Sequence, residues 1–142
     1  HKWLMEDVRQ EVAPFMKDTV IYHCGPVVSQ SDDGGWAFVA AEGERVVGIA
    51  SGGRARRQNL ASGEVYVLYV LAERQGHGIG RDLFDACHFE LAKRGHAGTL
   101  VWVLASNPAR HFYEHLGGKR VAENTLAIGG TKVREVGYLW RD

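Results

Sequence analysis

The chain has 142 residues, 45% hydrophobic and 24% charged, which suits one globular domain and argues against disorder, collagen-like sequence and low complexity. Seventeen Lys and Arg balance seventeen Asp and Glu, so no net field favours nucleic acid or an anionic membrane, and any anion site has to be local. The longest apolar runs fall far short of a bilayer span, no leader-like segment opens the chain, and Cys24 and Cys87 sit in no CxxC or CxxH arrangement. The expectation is a protein of the reducing cytoplasm with no metal site, no membrane segment and no nucleic-acid partner.

Trp3, Leu4, Val8, Val12 and Phe15 recur at spacings of three and four, which predicts a helix within residues 1–17 that Pro14 stops near its end. Residues 19–24 are β-branched and aromatic and predict a strand, broken by Gly25-Pro26, and 29–35 reads as a turn. Residues 36–41 and 45–51 form two strand patterns joined by Glu42-Gly43-Glu44, an antiparallel pair. Residues 52–63, with Arg54, Arg56 and Arg57, read as a solvated loop. Residues 64–71 are almost continuously apolar after Glu64, which predicts a central strand covered on both faces. Ile79, Leu83, Cys87 and Leu91 then recur at helical spacing through Arg94, with Gly95 as the stop and Cys87 as core instead of nucleophile. Residues 99–104 predict a second buried strand, so 64–104 makes a βαβ unit with parallel strands. Pro108 opens a short helix carrying Ala109, Phe112, Tyr113 and Leu116 up to Gly117-Gly118, and residues 125–128 and 131–140 flank Gly129-Gly130 as a closing hairpin.

The segment Arg74-Gln75-Gly76-His77-Gly78-Ile79-Gly80-Arg81 lies between the strongest strand and the amphipathic helix. Its three glycines allow a sharp turn and let a ligand approach main-chain N–H groups at a helix N-terminus, where unpaired amides and the helix dipole favour a phosphate or pyrophosphate. The spacing is not GxGxxG and no GK[ST] follows, so dinucleotide and P-loop nucleotide sites are disfavoured. A Gly-rich turn that binds nothing is the competing reading.

Gln75-xx-Gly78-x-Gly80 after the 65–71 strand resembles the acetyl-coenzyme A pyrophosphate loop of the GNAT N-acetyltransferases. Downstream, Asn107-Pro108-Ala109-Arg110-His111-Phe112-Tyr113-Glu114-His115-Leu116-Gly117-Gly118 is similar to the family's second signature, in the family's order and separation. The resemblance covers about residues 36–141 and departs at Gly118, where the family more often carries an aromatic or apolar residue. It implies an α/β (α+β) GNAT acyl-CoA N-acyltransferase fold, with a mixed, mostly antiparallel sheet, a central parallel pair and flanking helices. Residues 1–142 are then one domain, with 42–142 as cofactor-binding core and 1–41 as an atypical N-terminal segment.

By the same resemblance, acetyl-CoA is the co-substrate and the acceptor is a small-molecule or peptide amine. Gln75 and Gly76 open the pyrophosphate loop, and the backbone amides of His77, Gly78, Ile79, Gly80 and Arg81 hold the phosphates. Leu68, Tyr69 and Val70 offer main chain to the pantetheine arm as an added strand would, and Asn107 and Arg110 lie beside that arm. Tyr113 is the candidate acid for the departing thiolate, since an ordinary phenol stays protonated at neutral pH. Glu64 resembles the position of the family's general base, with a surface carboxylate at a strand edge as the equal alternative. His23, His111 and His115 are alternatives by ordinary pKa, the last two read as surface residues. Tyr66, Tyr69, Trp102 and Trp140 line an acceptor pocket or belong to the core. The arginines at 54, 56 and 57 bind the cofactor's 3′-phosphate, bind an acidic substrate, or are merely solvated, which is the preferred reading.

Residues 1–5 and 20–28 also resemble a stretch of the C-terminal domain of class I iron–sulfur fumarate or tartrate hydratases, up to about Ala41. The chain carries no cluster-binding cysteines, so the implied contribution is a helix and a strand in place of the usual opening of the acetyltransferase sheet. A rebuilt acceptor side leaves two competitors to an active enzyme, a CoA-binding domain with little turnover and a structural fragment or chimera. A homodimer would supply the missing wall.

Overall fold

A computed structural model of the chain describes residues 20–24, 36–57 and 60–141. The helix expected within residues 1–17 and the turn expected at 29–35 lie outside these residues. The described elements are β1 (Val20–Cys24), β2 (Trp36–Glu42), β3 (Arg45–Arg54), β4 (Gly63–Val70), α1 (Ile79–Lys93), β5 (Thr99–Leu104), α2 (Ala109–His115), β6 (Lys119–Ile128) and β7 (Thr131–Trp140). The strands make one seven-stranded sheet in the order β1-β2-β3-β4-β5-β7-β6, antiparallel throughout except for β4 and β5. The mixed sheet with a central parallel pair is the fold the sequence implied.

β2 and β3 form the expected hairpin, but β3 runs on to Arg54, three residues past the predicted end. Gly52, Gly53 and Arg54 pair with Val65, Glu64 and Gly63. A Cβ on Gly52 would stand 2.6 Å from the Glu64 carbonyl oxygen and 3.0 Å from the Trp36 ring, so the glycine marks a close approach inside a strand and not the start of a loop.

β4 contains a bulge. Ser51 faces Val67 and Gly52 faces Val65, so Tyr66 is an extra residue on β4. The alternation changes phase there. Gly63 and Val70 face the helices, beside Leu91 and Gly80, whereas Val67 and Tyr69 point away and are 47% and 55% exposed. The expectation of a strand covered on both faces is corrected accordingly: an uninterrupted apolar run here records a bulge and one partly open face.

α1 packs its Ile79, Leu83, Cys87 and Leu91 stripe on β2, β3 and β4, with Leu83 and Cys87 fully buried. Burial pushes the Cys87 thiol far above its ordinary range, which keeps it protonated and inert, as expected of a core cysteine. On the other half of the sheet, Tyr138 and Trp140 of β7 meet Tyr113 of α2, and Trp140 also meets Phe84 of α1, the two rings lying 4.5 Å apart. β6 begins at Lys119, six residues before the expected start, because residues 119–124 form a charged, exposed edge without apolar alternation. Arg120 pairs with Glu123, and Arg134 lies 3.4 Å from the same carboxylate.

Gly118 admits no side chain in this packing. A Cβ there would fall 2.5 Å from Cζ2 of Trp140, whose ring lies over the glycine. Gly118→Val is therefore expected to destabilise the fold by about 1–3 kcal/mol, the usual cost of overpacking, measured as a lower urea midpoint with unchanged m.

Candidate active site

Only Gly63–Thr99 and Glu64–Leu100 pair across β4 and β5; beyond them the parallel strands separate. Among the described residues, the main-chain groups of β4 that face β5 past that point have no strand partner. The opening is a cleft of about 620 Å³ lined by Leu68 and Val70 of β4, by Gln75, Gly76, Gly78, Gly80 and Arg81, and by Asn107, Pro108, Ala109, Phe112, Tyr113, His115 and Leu116.

The loop between β4 and α1 is held before any ligand arrives. A 3-10 turn at Ala72–Arg74 is tied to β2 by Arg74 Nε, which donates to both Glu42 oxygens at 2.8 and 3.0 Å. Gln75 Nε2 donates to the Val70 carbonyl at 3.0 Å, and His77 Nδ1 donates to the Gln75 carbonyl at 3.0 Å. Gly76 and Gly78 have φ of +81° and +86°, a left-handed backbone that other residues rarely adopt. Gly78 caps α1 without a side chain, and the first helical bond runs from Asp82 N–H to the Gly78 carbonyl. The N–H groups of Ile79, Gly80 and Arg81 are therefore left without intrahelical acceptors at the positive end of a fifteen-residue helix. A phosphate fits this donor set, and the glycine-lined approach lets it come close.

Asn107 stands across the cleft, where its Oδ1 accepts the Ala109 N–H at 2.9 Å and closes the turn into α2. Tyr113 is 7% exposed, and burial pushes its phenol up to about 12, so it holds its proton throughout the neutral range. His115, expected at the surface, is exposed and also lines the cleft. Tyr69, His77, Ile79 and Arg110 do not line it. Arg110 turns instead along its own helix, 3.9 Å from Glu114. His111 is exposed near the same carboxylate, and the His23 side chain lies outside what the structure describes. Trp140 is core, Trp102 and Tyr66 are half-buried, and Tyr69 is exposed.

Glu64 lies off the cleft at the vertex of the separating strands. It is fully buried, which corrects the reading of a surface carboxylate. Arg56 engages both of its oxygens, the main-chain N–H reaching Oε1 at 2.9 Å and Nη2 reaching Oε2 at 2.6 Å. This hydrogen bond is the main cause raising the Arg56 pKa. Next to it, Arg57 Nη1 sits 2.5 Å from Oε1 of the buried Glu135 and stacks over Trp102 at 4.4 Å, while Arg56 lies over Tyr66 at 5.3 Å. The arginine loop is thus no freely solvated run: two of its guanidinium groups neutralise carboxylates that could not otherwise be buried. A charged residue following a glycine stretch gave no sign of those partners, which come from β4 and β7.

Among the described residues no three His, Cys, Asp or Glu side chains converge as a metal site, and no helix is long and apolar enough to cross a membrane.

A family model described as the Acetyltransferase (GNAT) domain matches residues 33–117. The chain belongs to the GNAT family. An uncharacterized N-acetyltransferase of Bacillus subtilis, YuaI, is 39% identical over 107 residues, which are 74% of this chain and 62% of that protein. The chain therefore spans less than two thirds of that relative. Among solved structures, a GNAT-family acetyltransferase from Desulfovibrio desulfuricans superposes with a TM-score of 0.64 at 22% identity, covering 75% of this chain and 68% of the other. An acetyltransferase from Salmonella typhimurium, solved with its cofactor acetyl-CoA, gives 0.61 at 22% identity, with 76% and 65% covered. These likenesses establish the GNAT fold. None of these relatives is a hydratase, and most of the hydratase-like stretch, residues 1–19 and 25–35, lies outside the described residues.

One acidic group at this site gives a pH signature. Asp82, in the first turn of α1, is 5% exposed, and burial, with the like charge of Asp85 adding and Arg81 opposing, pushes its carboxyl up to about 6. The folded chain then binds a proton between about pH 4 and 6 that the unfolded chain, with an ordinary Asp, releases. Stability from this group is greatest below pH 4 and falls as pH rises to 6. Asp82→Asn is expected to flatten that slope and to be more stable than the parent by about 2 kcal/mol at pH 8, read from urea unfolding at both pH values.

Proposed function

We propose that this domain transfers an acetyl group from acetyl-CoA to a primary amine, a small molecule or a peptide, by direct attack. The observation that carries the reading is the meeting, in one cleft, of the glycine loop at the α1 N-terminus with Asn107 and Tyr113 from the opposite side. The YuaI name and the acetyl-CoA bound in the Salmonella structure support it. When bound, acetyl-CoA supplies the activated acetyl group that the amine nitrogen takes up as the carbon–sulfur bond breaks.

The residues of the chain divide the remaining work. The free amides at the start of α1 hold the pyrophosphate, and the β4 main-chain groups that face away from β3 beyond Glu64 orient the pantetheine arm as a strand partner. Tyr113 keeps a proton available for the departing sulfur, and its burial restricts competition from water. Glu64 stands four residues before Leu68, on the order of 12 Å along the strand, and reaches an amine only through water and after Arg56 withdraws. Its role in this arrangement is to anchor the arginine loop. The acceptor thus enters as the neutral amine, with its surplus proton leaving to solvent.

Two results test this reading. Calorimetric titration with acetyl-CoA is expected to give saturable one-site binding, and Gly78→Asp, which puts both a carboxylate and a strained φ at the phosphate donors, is expected to abolish it in a folded protein; undiminished affinity would remove the loop as the phosphate site. Tyr113→Phe is expected to lower kcat by about 10²-fold with little change in KM for acetyl-CoA, followed as thiol release with a panel of amines. Equal kcat in the variant would exclude Tyr113 as the acid.

A further inference from the structure

α2 has seven residues, too short to hold its own geometry in water. What fixes it comes from β7. The Tyr138 hydroxyl, fully buried, donates to Glu114 Oε2 at 2.5 Å, and Trp140 Nε1 donates to the Leu116 carbonyl at 3.1 Å. Between these two points the helix ends in a left-handed cap at Gly117, φ +94°, with Gly117 N–H on the Glu114 carbonyl and Gly118 N–H on the Tyr113 carbonyl, both at 3.0 Å. Gly118 can make that bond because nothing projects from its Cα into the Trp140 ring above it.

The same two β7 side chains touch the Tyr113 ring. Trp140 meets it edge-on at 6.1 Å between centroids and Tyr138 lies tilted at 6.4 Å. The Tyr113 carbonyl is thus held by the turn after α2, the residue after it by Tyr138, and its ring is flanked by Tyr138 and Trp140 of β7 as well as by Phe112 of its own helix. We propose that Tyr138 and Trp140 form a two-point latch that positions the Tyr113 hydroxyl in the cleft. They are positioning residues, since neither lines the cleft. The inference rests on the reading of Tyr113 as the proton donor. It adds that the orientation of that donor is set from β7, through contacts that leave the phosphate loop untouched.

Tyr138→Phe keeps its ring and loses one hydrogen bond, whereas Trp140→Phe loses its hydrogen bond together with ring atoms that lie over Gly118. Tyr138→Phe and Trp140→Phe are each expected to lower kcat by about tenfold with KM for acetyl-CoA unchanged, using the fastest acceptor of the amine panel. Glu114→Gln, which still offers an oxygen to Tyr138, is expected to behave as the parent, and Glu114→Ala as Tyr138→Phe. In a Tyr113→Phe background, Tyr138→Phe is expected to cost nothing further, whereas a general structural role would cost the same in both backgrounds. A readout independent of turnover is the fluorine spectrum of chain made with 3-fluorotyrosine. The resonance lost in Tyr113→Phe is expected to be single in the parent and to shift or split in Tyr138→Phe. An unmoved resonance, an unchanged kcat in Tyr138→Phe or an additive loss in the double variant would each overturn the latch. A parent-like kcat in Tyr113→Phe alone would identify the acid assignment as the failed premise, and a normal acetyl-CoA isotherm would show that cofactor binding had survived it.

Discussion

The early parting of β4 and β5 is the constraint on which the other features depend. Two residue pairs hold these strands together and then stop, although both strands continue. Continued pairing would have filled the space with hydrogen bonds and closed the sheet, leaving nowhere for a ligand to lie between two strands of one sheet. The bulge at Tyr66 belongs to the same device, since an extra residue bends a strand and increases its twist. Parting strands expose main-chain donors and acceptors that cannot stay unpaired in a dry interior, so the cleft has to take up either water or a strand-like ligand.

The vertex of that opening carries a buried carboxylate. Glu64 has no exposure of its own and is neutralised by an arginine that remains two-thirds exposed. Removing one partner of such a pair leaves an uncompensated charge, which costs more than the pair contributes. Arg56 and Arg57 are consequently fixed against the sheet by charge rather than by apolar burial. The mouth of the opening is organised differently. There α1 offers unpaired amides and α2 offers a phenol that holds its proton because it is buried. One wall presents unpaired amides while the other holds a buried phenol, and both are positioned by the same sheet.

Much of this was legible from residues alone. The boundaries of β5 and β7 and the start of α1 follow from apolar period and glycine punctuation; glycine spacing at a helix N-terminus marked Gln75 to Arg81 as a candidate anion loop beside the competing reading of a turn that binds nothing, and Tyr113 opposite it came from the resemblance to the GNAT family. The failures share a cause in tertiary contact. The end of β3 was hidden because glycines required for close packing look like loop glycines. The first half of β6 was hidden because an edge strand that faces water need not alternate. The exposed side of β4 was hidden because a bulge shifts the phase of alternation without changing composition. Arg56 and Arg57 were the largest misreading, since Glu64 lies only eight residues on but buried at the start of the next strand, and Glu135 lies far along the chain on β7.

Among the described residues the outer side of β6, ten residues long, pairs with no other strand. Such a margin is a template for further strand addition, and an uncharged one would draw copies of the chain into a growing ribbon. Here Lys119, Arg120 and Glu123 stand on that margin with Arg134 behind them, and a second strand laid against it would have to strip or oppose those charges. Val121 and Ile128 remain 37% and 55% exposed beside them. The strand thus carries its own gatekeepers, and neutralising them would turn a solvated margin into an adhesive one.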